Sequence, residues 1–345
     1  MRIGILAPVW YTIPPAGYGG VELVVALLAD GLVDRGHDVT LFASGGSTTK
    51  ATLSSPFTSP PDPALLGNVW FEAAHALSAY LDRDRFDIVH DHSGIVGPAM
   101  GALPGGSSPV VHTLHGPWTE PTRHFYSLVH EHVSLVAISE TQRADNPDLH
   151  YAATVHNGIN LEAYPFLEHK DEFLIYIGRA NPDKGPAVAI EVARRAGLEL
   201  VMIVKKNQPF ELAYWDEIVA PLLHPGVEVL EDVSHQEKAD LLSRARAMLF
   251  PIQWAEPFGL VMVEAMACGT PVVACPAGAA VEIVADGETG FLRDSHDDLA
   301  AAVHRVAELS PEACRNRAAA RFSAATMVDG YERVYERAIA TSATP

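Results

Sequence analysis

The chain reads as an α/β protein made of two successive blocks of parallel-sheet units, and three observations lead there. Short apolar, β-branched runs alternate with helical stretches along all 345 residues, the pattern of repeated βαβ units. That length holds two domains of ordinary size, each able to bury its own core. The alternation also stops and restarts: an Asn157-Gly158 turn is followed by a connecting stretch over 161–171, and a new first strand opens at Phe173.

Composition narrows the function. A hydrophobic content of 48% with 19% charged residues excludes a disordered chain, and no apolar run approaches the ~20 residues that span a bilayer. The formal net charge of −19 argues against nucleic acid as a partner, because phosphate must be neutralised by Lys and Arg. It also weighs against docking on an anionic membrane. The N-terminus is apolar for only a few residues, so it reads as a first strand and not as a signal peptide. Cys268, Cys275 and Cys314 form no C-x-x-C pair and suit a reducing compartment, so a cytoplasmic monomer or homodimer is expected.

The first strand, 3–8, runs into Pro14-Pro-Ala-Gly17-Tyr-Gly19-Gly20 and a helix over 21–35. These glycines do not fit G-x-G-x-x-G, so the dinucleotide fingerprint is missing. Gly19 and Gly20 serve either a tight turn with positive φ or a close approach of backbone amides to a phosphate or sugar. Strands at 38–43 and 86–90 follow, separated by a turn-rich excursion over 56–63 and a helix over 68–81. The second of these strands delivers His90, Asp91 and His92. Alternate strand residues face opposite ways, so at most two of the three share a side. A polar strand end lining an acceptor pocket is the better reading than a metal site. The strand 110–114 delivers His115 and Gly116, and 134–138 ends at Ser139. Asp91, His92 and Ser139 are thus the expected acceptor-side residues, since α/β ligands sit outside the carboxyl ends of the strands. Trp118 and Tyr126 either stack on a sugar face or pack in the core.

In the second block, the strand 173–177 ends at Gly178-Arg179, and Lys184-Gly185 precede a helix over 186–196. An Arg and a Lys just past a strand end can clamp a diphosphate. The window 179–206 holds six basic residues (Arg179, Lys184, Arg194, Arg195, Lys205, Lys206) against three acids (Asp183, Glu191, Glu199), a place for an anion in an acidic chain. Further strands are expected over 199–204, 227–230, 247–250 and 271–274, with a helix around 210–222 and a loop from Glu231 to Lys238. Three amphipathic helical patterns, 295–309, 311–322 and 325–340, close the chain.

The densest information lies between 250 and 274. A strand end is followed by a loop with Glu256, then by a helix that starts near Phe258 or Gly259 and stops at Gly269. The amides of Phe258, Gly259, Leu260 and Val261 have no intrahelical acceptor, so this helix start favours an anion such as a phosphate. Glu264 lies roughly 7.5 Å further along the helix at ~1.5 Å per residue. Its two oxygens suit a vicinal diol such as a ribose, while Glu256 faces the other end of the same ligand.

Glu256 and Glu264 with their seven intervening residues resemble the E-x7-E signature of family 4 retaining glycosyltransferases. Arg179 to Lys184 resembles the same family's G-R-x4-K element, and Gly19-Gly20 its first-loop glycine pair. The resemblance implies the GT-B fold, two facing Rossmann-like domains with an interdomain cleft: 1–160 on the acceptor side, 161–324 on the donor side, and a terminal helix over 325–345 that returns to the first domain. It implies that Glu264 holds the donor ribose, that Glu256 and His115 contact the donor sugar, that Arg179 and Lys184 hold the diphosphate, and that Gly19 and Gly20 face it. The loop from Glu231 is expected to meet the base through its backbone. The implied reaction moves a hexose from a nucleoside diphosphate sugar, UDP-glucose by default, to a hydroxyl of an acceptor, with retention and with neither cofactor nor metal. Because relatives with lipid acceptors often carry a basic amphipathic helix and this chain is acidic, a small soluble acceptor is expected. A nucleotide-sugar epimerase on the same architecture is the alternative.

Overall fold

The computed structural model of the chain describes residues 1–15, 17 and 19–342. Ala16 and Tyr18 of the first glycine loop, and residues 343–345 of the expected terminal helix, lie outside the described residues. The chain divides into two compact units, one formed by Met1–Gly158 with the terminal helix and the other by Ile159–Ser323.

The first unit has a seven-stranded sheet of β1 (Arg2–Leu6), β2 (Asp38–Phe42), β3 (Thr52–Ser54), β4 (Ile88–Asp91), β5 (Val110–Leu114), β6 (Ser134–Ala137) and β7 (Tyr151–Thr154). Their order is β3-β2-β1-β4-β5-β6-β7, and every pairing is parallel. Ile3, Ile5, Leu6, Ile88, Val89, Val111 and Leu135 are fully buried, which follows from a parallel sheet covered on both faces. The helices are α1 (Gly20–Asp34), α2 (Val69–Tyr80), α3 (Val96–Gly101), α4 (Glu120–Val129) and α5 (Glu140–Ala144).

The second unit repeats the plan with β8 (Phe173–Arg179), β9 (Glu199–Lys205), β10 (Val227–Leu230), β11 (Ala247–Phe250), β12 (Val272–Ala274) and β13 (Gly290–Leu292), again all parallel, in the order β10-β9-β8-β11-β12-β13. Its helices are α6 (Pro186–Ala196), α7 (Pro209–Tyr214), α8 (His235–Arg244), α9 (Leu260–Ala267), α10 (Ala280–Ile283), α11 (His296–Arg305) and α12 (Pro311–Phe322). The last helix, α13 (Ala324–Ser342), belongs to the first unit, where it packs on α1, β4, β5 and β7 and buries Tyr331 and Tyr335.

Three strands escape the sequence reading: β3, β7 and β13. All are edge strands of three or four residues, and Thr, Ser, Ala and Gly dilute the apolar run that marks a buried strand. The stretch from Glu231 to Lys238 is a loop only in part. Ser234 accepts the Glu237 amide as an N-cap and α8 starts at His235, so Lys238 stands on a helix.

In both sheets the strand order reverses beside the first strand, between β1 and β4 and between β8 and β11. Loops leaving the carboxyl ends of those strands diverge there and leave a crevice, the usual ligand position in a doubly wound sheet.

Candidate active site

The second unit collects its charged residues at the β8/β11 crevice. Arg179 ends β8 and Lys184 ends the 3-10 turn behind it, while Glu256 and Gly259 follow β11. Lys184 forms an ion pair with Glu256, and its ammonium lies 4.9 Å from the Trp254 ring centre. Gly259 is the N-cap of α9 in the left-handed region (φ 90°, ψ 63°), and no side chain caps the helix. A Cβ at Gly259 would meet the Met262 methyl at 2.6 Å and the Glu256 Cγ at 3.7 Å, so Glu256, Lys184 and the helix start form one patch. Phe258 is buried against Phe322, which sets the direction in which the chain enters the helix. The first amides of α9, at Leu260 and Val261, open at this patch.

Like Lys184, two further cations at the crevice, Arg179 and Lys206, each have an acid. Arg179 pairs through Nε with Glu211, a fully buried carboxylate that also accepts the amides of Asn207 and Gln208, each at 3.1 Å. Lys206 lies 2.8 Å from Glu231 and 5.0 Å from the Trp215 ring centre. The excess of positive charge expected over 179–206 is therefore not concentrated here. Arg194 and Arg195 bond Glu191 and Asp297 at the far end of α6, next to the amino ends of the strands.

Glu264 is 2% exposed and more enclosed than a solvent-facing diol reader would be. Lys238 Nζ donates to both of its oxygens at 2.8 and 2.7 Å, and the Tyr164 hydroxyl donates to Oε1 at 2.8 Å. Burial by itself raises this carboxyl, but the Lys238 charge and the bonds from Lys238 and Tyr164 outweigh it and hold the group below its usual value. A ligand would share these oxygens with Lys238 and Tyr164. Glu211, Lys238 and Tyr164 all escape the sequence reading. Lys and Glu residues 26 apart on different helices leave no periodic trace, and the one available signal was Ser234 before an acidic turn.

In the first unit the polar strand ends are mostly closed. His90 and His92 share a side, with ring centres 3.9 Å apart and His92 Nε2 at 3.2 Å from His90 Nδ1, while Asp91 faces the other way. His92 Nδ1 lies 2.9 Å from His115 Nε2. His90 continues the chain inward to the hydroxyls of Tyr335 (2.7 Å) and Thr113 (2.8 Å). Burial pushes His115 down to about 3, so the ring is neutral at pH 7. Asp91 accepts the Tyr80 hydroxyl and the Ser93 amide, each at 2.7 Å. Ser139 is a buried N-cap that accepts the Gln142 amide. Asp91, His92 and Ser139, expected to line an acceptor pocket, thus spend their polar atoms on protein partners and stand behind the surface as supports. Trp118 and Tyr126 take the core role: the Trp118 ring nitrogen donates to the Gln142 carbonyl at 2.7 Å, and the Tyr126 hydroxyl meets His112 at 2.9 Å.

Gly19 caps α1 with φ 167°, an extended conformation open to any residue, so no positive-φ turn is needed there. Space is what selects glycine: a Cβ would lie 2.8 Å from Pro15 and 2.9 Å from a Glu22 carboxylate oxygen. Gly20 opens the helix itself. Among the described residues, His130, Glu131 and His150 bring three metal-type donors within 4.8 Å of one another. His130 Nδ1 accepts the His150 amide, however, so its Nε2 carries the ring proton and is not a free ligand.

The two doubly wound parallel sheets place the chain among two-unit α/β transferases. The chain belongs to glycosyltransferase family 4 and is a glycosyltransferase with the GT-B fold. The profile described as Glycosyltransferase Family 4 matches residues 18–163, and that described as Glycosyl transferases group 1 matches residues 162–322. A D-inositol 3-phosphate glycosyltransferase of Mycobacterium sp. (strain KMS) is 31% identical over 74% of this chain and 67% of its own. Among solved structures, AviGT4, a glycosyltransferase involved in avilamycin A biosynthesis, superposes with a TM-score of 0.73 at 24% identity, covering 99% of this chain and 98% of that one. Anabaena HepE in complex with UDP and glucose gives 0.74 at 20% identity, covering 97% and 99%. In a transferase family, the epimerase alternative is set aside.

Proposed function

We propose that the protein transfers a hexose from a nucleoside diphosphate sugar, with UDP-glucose the first donor to try, to a hydroxyl of a small soluble acceptor, with retention at the anomeric carbon. One observation carries the reading: Lys184, Glu256 and the uncapped start of α9 at Gly259 meet in a single patch at the β8/β11 crevice. A diphosphate placed there meets the amides of Leu260 and Val261 and displaces Glu256 from Lys184. Arg179 adds a guanidinium contact from β8. Together they disperse the charge that develops on the departing diphosphate without calling on a metal.

Glu264 then receives a ribose hydroxyl on the Oε2 lone pair left by Lys238 and Tyr164, and Glu256, freed from Lys184, turns to the sugar. We assign the donor to the second unit and the acceptor to the first. Glu256 is not cast as a covalent nucleophile; the leaving phosphate takes the acceptor proton. HepE, bound to UDP and glucose, supports a UDP-sugar donor, and the D-inositol 3-phosphate glycosyltransferase supports a small acceptor.

The test is thermal. UDP, GDP or ADP raises the melting temperature of the parent protein, and Lys184→Ala removes most of that rise. No stabilisation by any of the three would overturn the donor reading, and a shift unchanged in Lys184→Ala would overturn the role of Lys184.

A further inference from the structure

Helix α2 turns polar groups inward beside the buried Ala76 and Ala79 and leaves large apolar side chains outside. Its inward side holds His75, buried, with Nε2 donating to the Ala7 carbonyl at 3.1 Å, and Glu72, which accepts from the Trp10 ring nitrogen at 3.1 Å. Its other polar side chains are also spent on neighbours: Ser78 donates to the His75 carbonyl, and the Tyr80 hydroxyl to Asp91. The outward stripe, read at helical spacing, is Val69, Trp70, Ala73, Ala74 and Leu77, continued past the C-terminal end by Leu81, with Leu66 on the chain that leads into the helix. It holds no polar residue. Trp70 is 79% exposed and Leu81 80%, and Leu66, Val69 and Leu77 are exposed as well.

The centre of that stripe is symmetric in sequence. Trp70, Ala73, Ala74 and Leu77 follow one another in steps of three, one and three residues. Laid antiparallel on a second copy about a two-fold axis between Ala73 and Ala74, Trp70 meets Leu77 of the other copy, and the two alanines let the backbones approach. An isologous contact requires this reciprocity, in which residue i meets j and j meets i.

We propose that the outer face of α2 is the contact between two copies of this chain in a two-fold homodimer. The exposed apolar surface amounts to roughly 600 Å², the upper end of what a monomer leaves in water. It approaches the ~800 Å² per partner of a standard interface. A lipid surface is the poorer occupant: α2 has no Lys or Arg, and the chain carries a net charge of −19.

The test is sedimentation equilibrium of the full chain at micromolar concentration. The parent is expected to be a dimer, and Trp70→Lys and Leu77→Glu are each expected to weaken it by ~100-fold or more, because a two-fold axis counts every substitution twice. Both sites are exposed, so circular dichroism and melting temperature stay near the parent. An equimolar mixture of the two variants regains a heterodimer, since Lys at 70 then faces Glu at 77 on one side and Trp70 faces Leu77 on the other. A monomeric parent, a dimer indifferent to Trp70→Lys, or a mixture that stays monomeric overturns the proposal. So does a monomeric parent that floats with phosphatidylcholine–phosphatidylglycerol vesicles, which would assign the face to lipid.

Discussion

Lys238 and Glu264 face each other across two helices, α8 and α9, with the ammonium 2.8 and 2.7 Å from the two carboxylate oxygens and a third bond from Tyr164 at 2.8 Å. The carboxylate is almost wholly buried, so its charge depends on that partner. Lys238→Met strands it, with an expected loss of about 3–5 kcal/mol of stability, and adding Glu264→Gln recovers most of the loss. Urea denaturation of the two variants and the parent measures both steps. A Lys238→Met protein as stable as the parent would show that the pair is solvated.

Glu256 competes with any anion for Lys184. In Glu256→Gln the acid is gone while the shape remains, so a nucleoside diphosphate should bind about fivefold tighter, the equivalent of ~1 kcal/mol for a partly exposed ion pair. Sugar transfer should nevertheless slow by about 100-fold, because the proposed sugar contact loses its charge. Calorimetric titration with UDP, set beside the turnover rate, separates the two effects. Weaker UDP binding would show that Glu256 assists the diphosphate instead of competing with it.

Glu211 fixes Arg179 from behind. Its buried carboxylate takes the guanidinium and two backbone amides, so Glu211→Ala releases the Arg179 side chain and leaves two amides without an acceptor. The expected result is a donor KM raised ~10-fold or more, with a smaller change in kcat and a stability loss of about 2 kcal/mol. Glu211→Gln, which still offers a carbonyl oxygen, should fall between the two. An unchanged KM in Glu211→Ala would remove Arg179 from donor binding.

Acid should unfold the protein in two stages. Burial pushes His75 down to about 4 and His115 to about 3, so below pH 6.5 the unfolded chain takes up protons that the fold refuses. Stability therefore falls as pH drops from 6.5, by up to ~1.4 kcal/mol per pH unit for each such ring. The lowered carboxyl of Glu264 adds its own loss only below the ordinary Glu range, as pH falls toward its folded value. His75→Gln keeps a donor to the Ala7 carbonyl and should reduce the slope of melting temperature against pH between 6.5 and 5. The same slope in parent and variant would mean that His75 titrates normally in the fold.

Most of the fold was open to a reading of residues alone. Buried parallel strands must be runs of Val, Ile and Leu, and the helices between them must show an apolar stripe, so both alternations and the restart at Phe173 are written in local spacing. What stayed hidden was short or shared: β3, β7 and β13 are edge strands with too few apolar residues to register, and the helix at His235 shows only through the cap at Ser234.

The sequence by itself placed Arg179, Lys184, Glu256 and Gly259 beside strand ends of the second unit, because strand ends can be found from periodicity. Tertiary structure alone decided the partners. That Lys184 meets Glu256, Arg179 meets Glu211, Glu264 meets Lys238 and His92 meets His115 depends on which strands lie side by side and how their loops turn. Such pairings join residues tens of positions apart, and no local pattern records them.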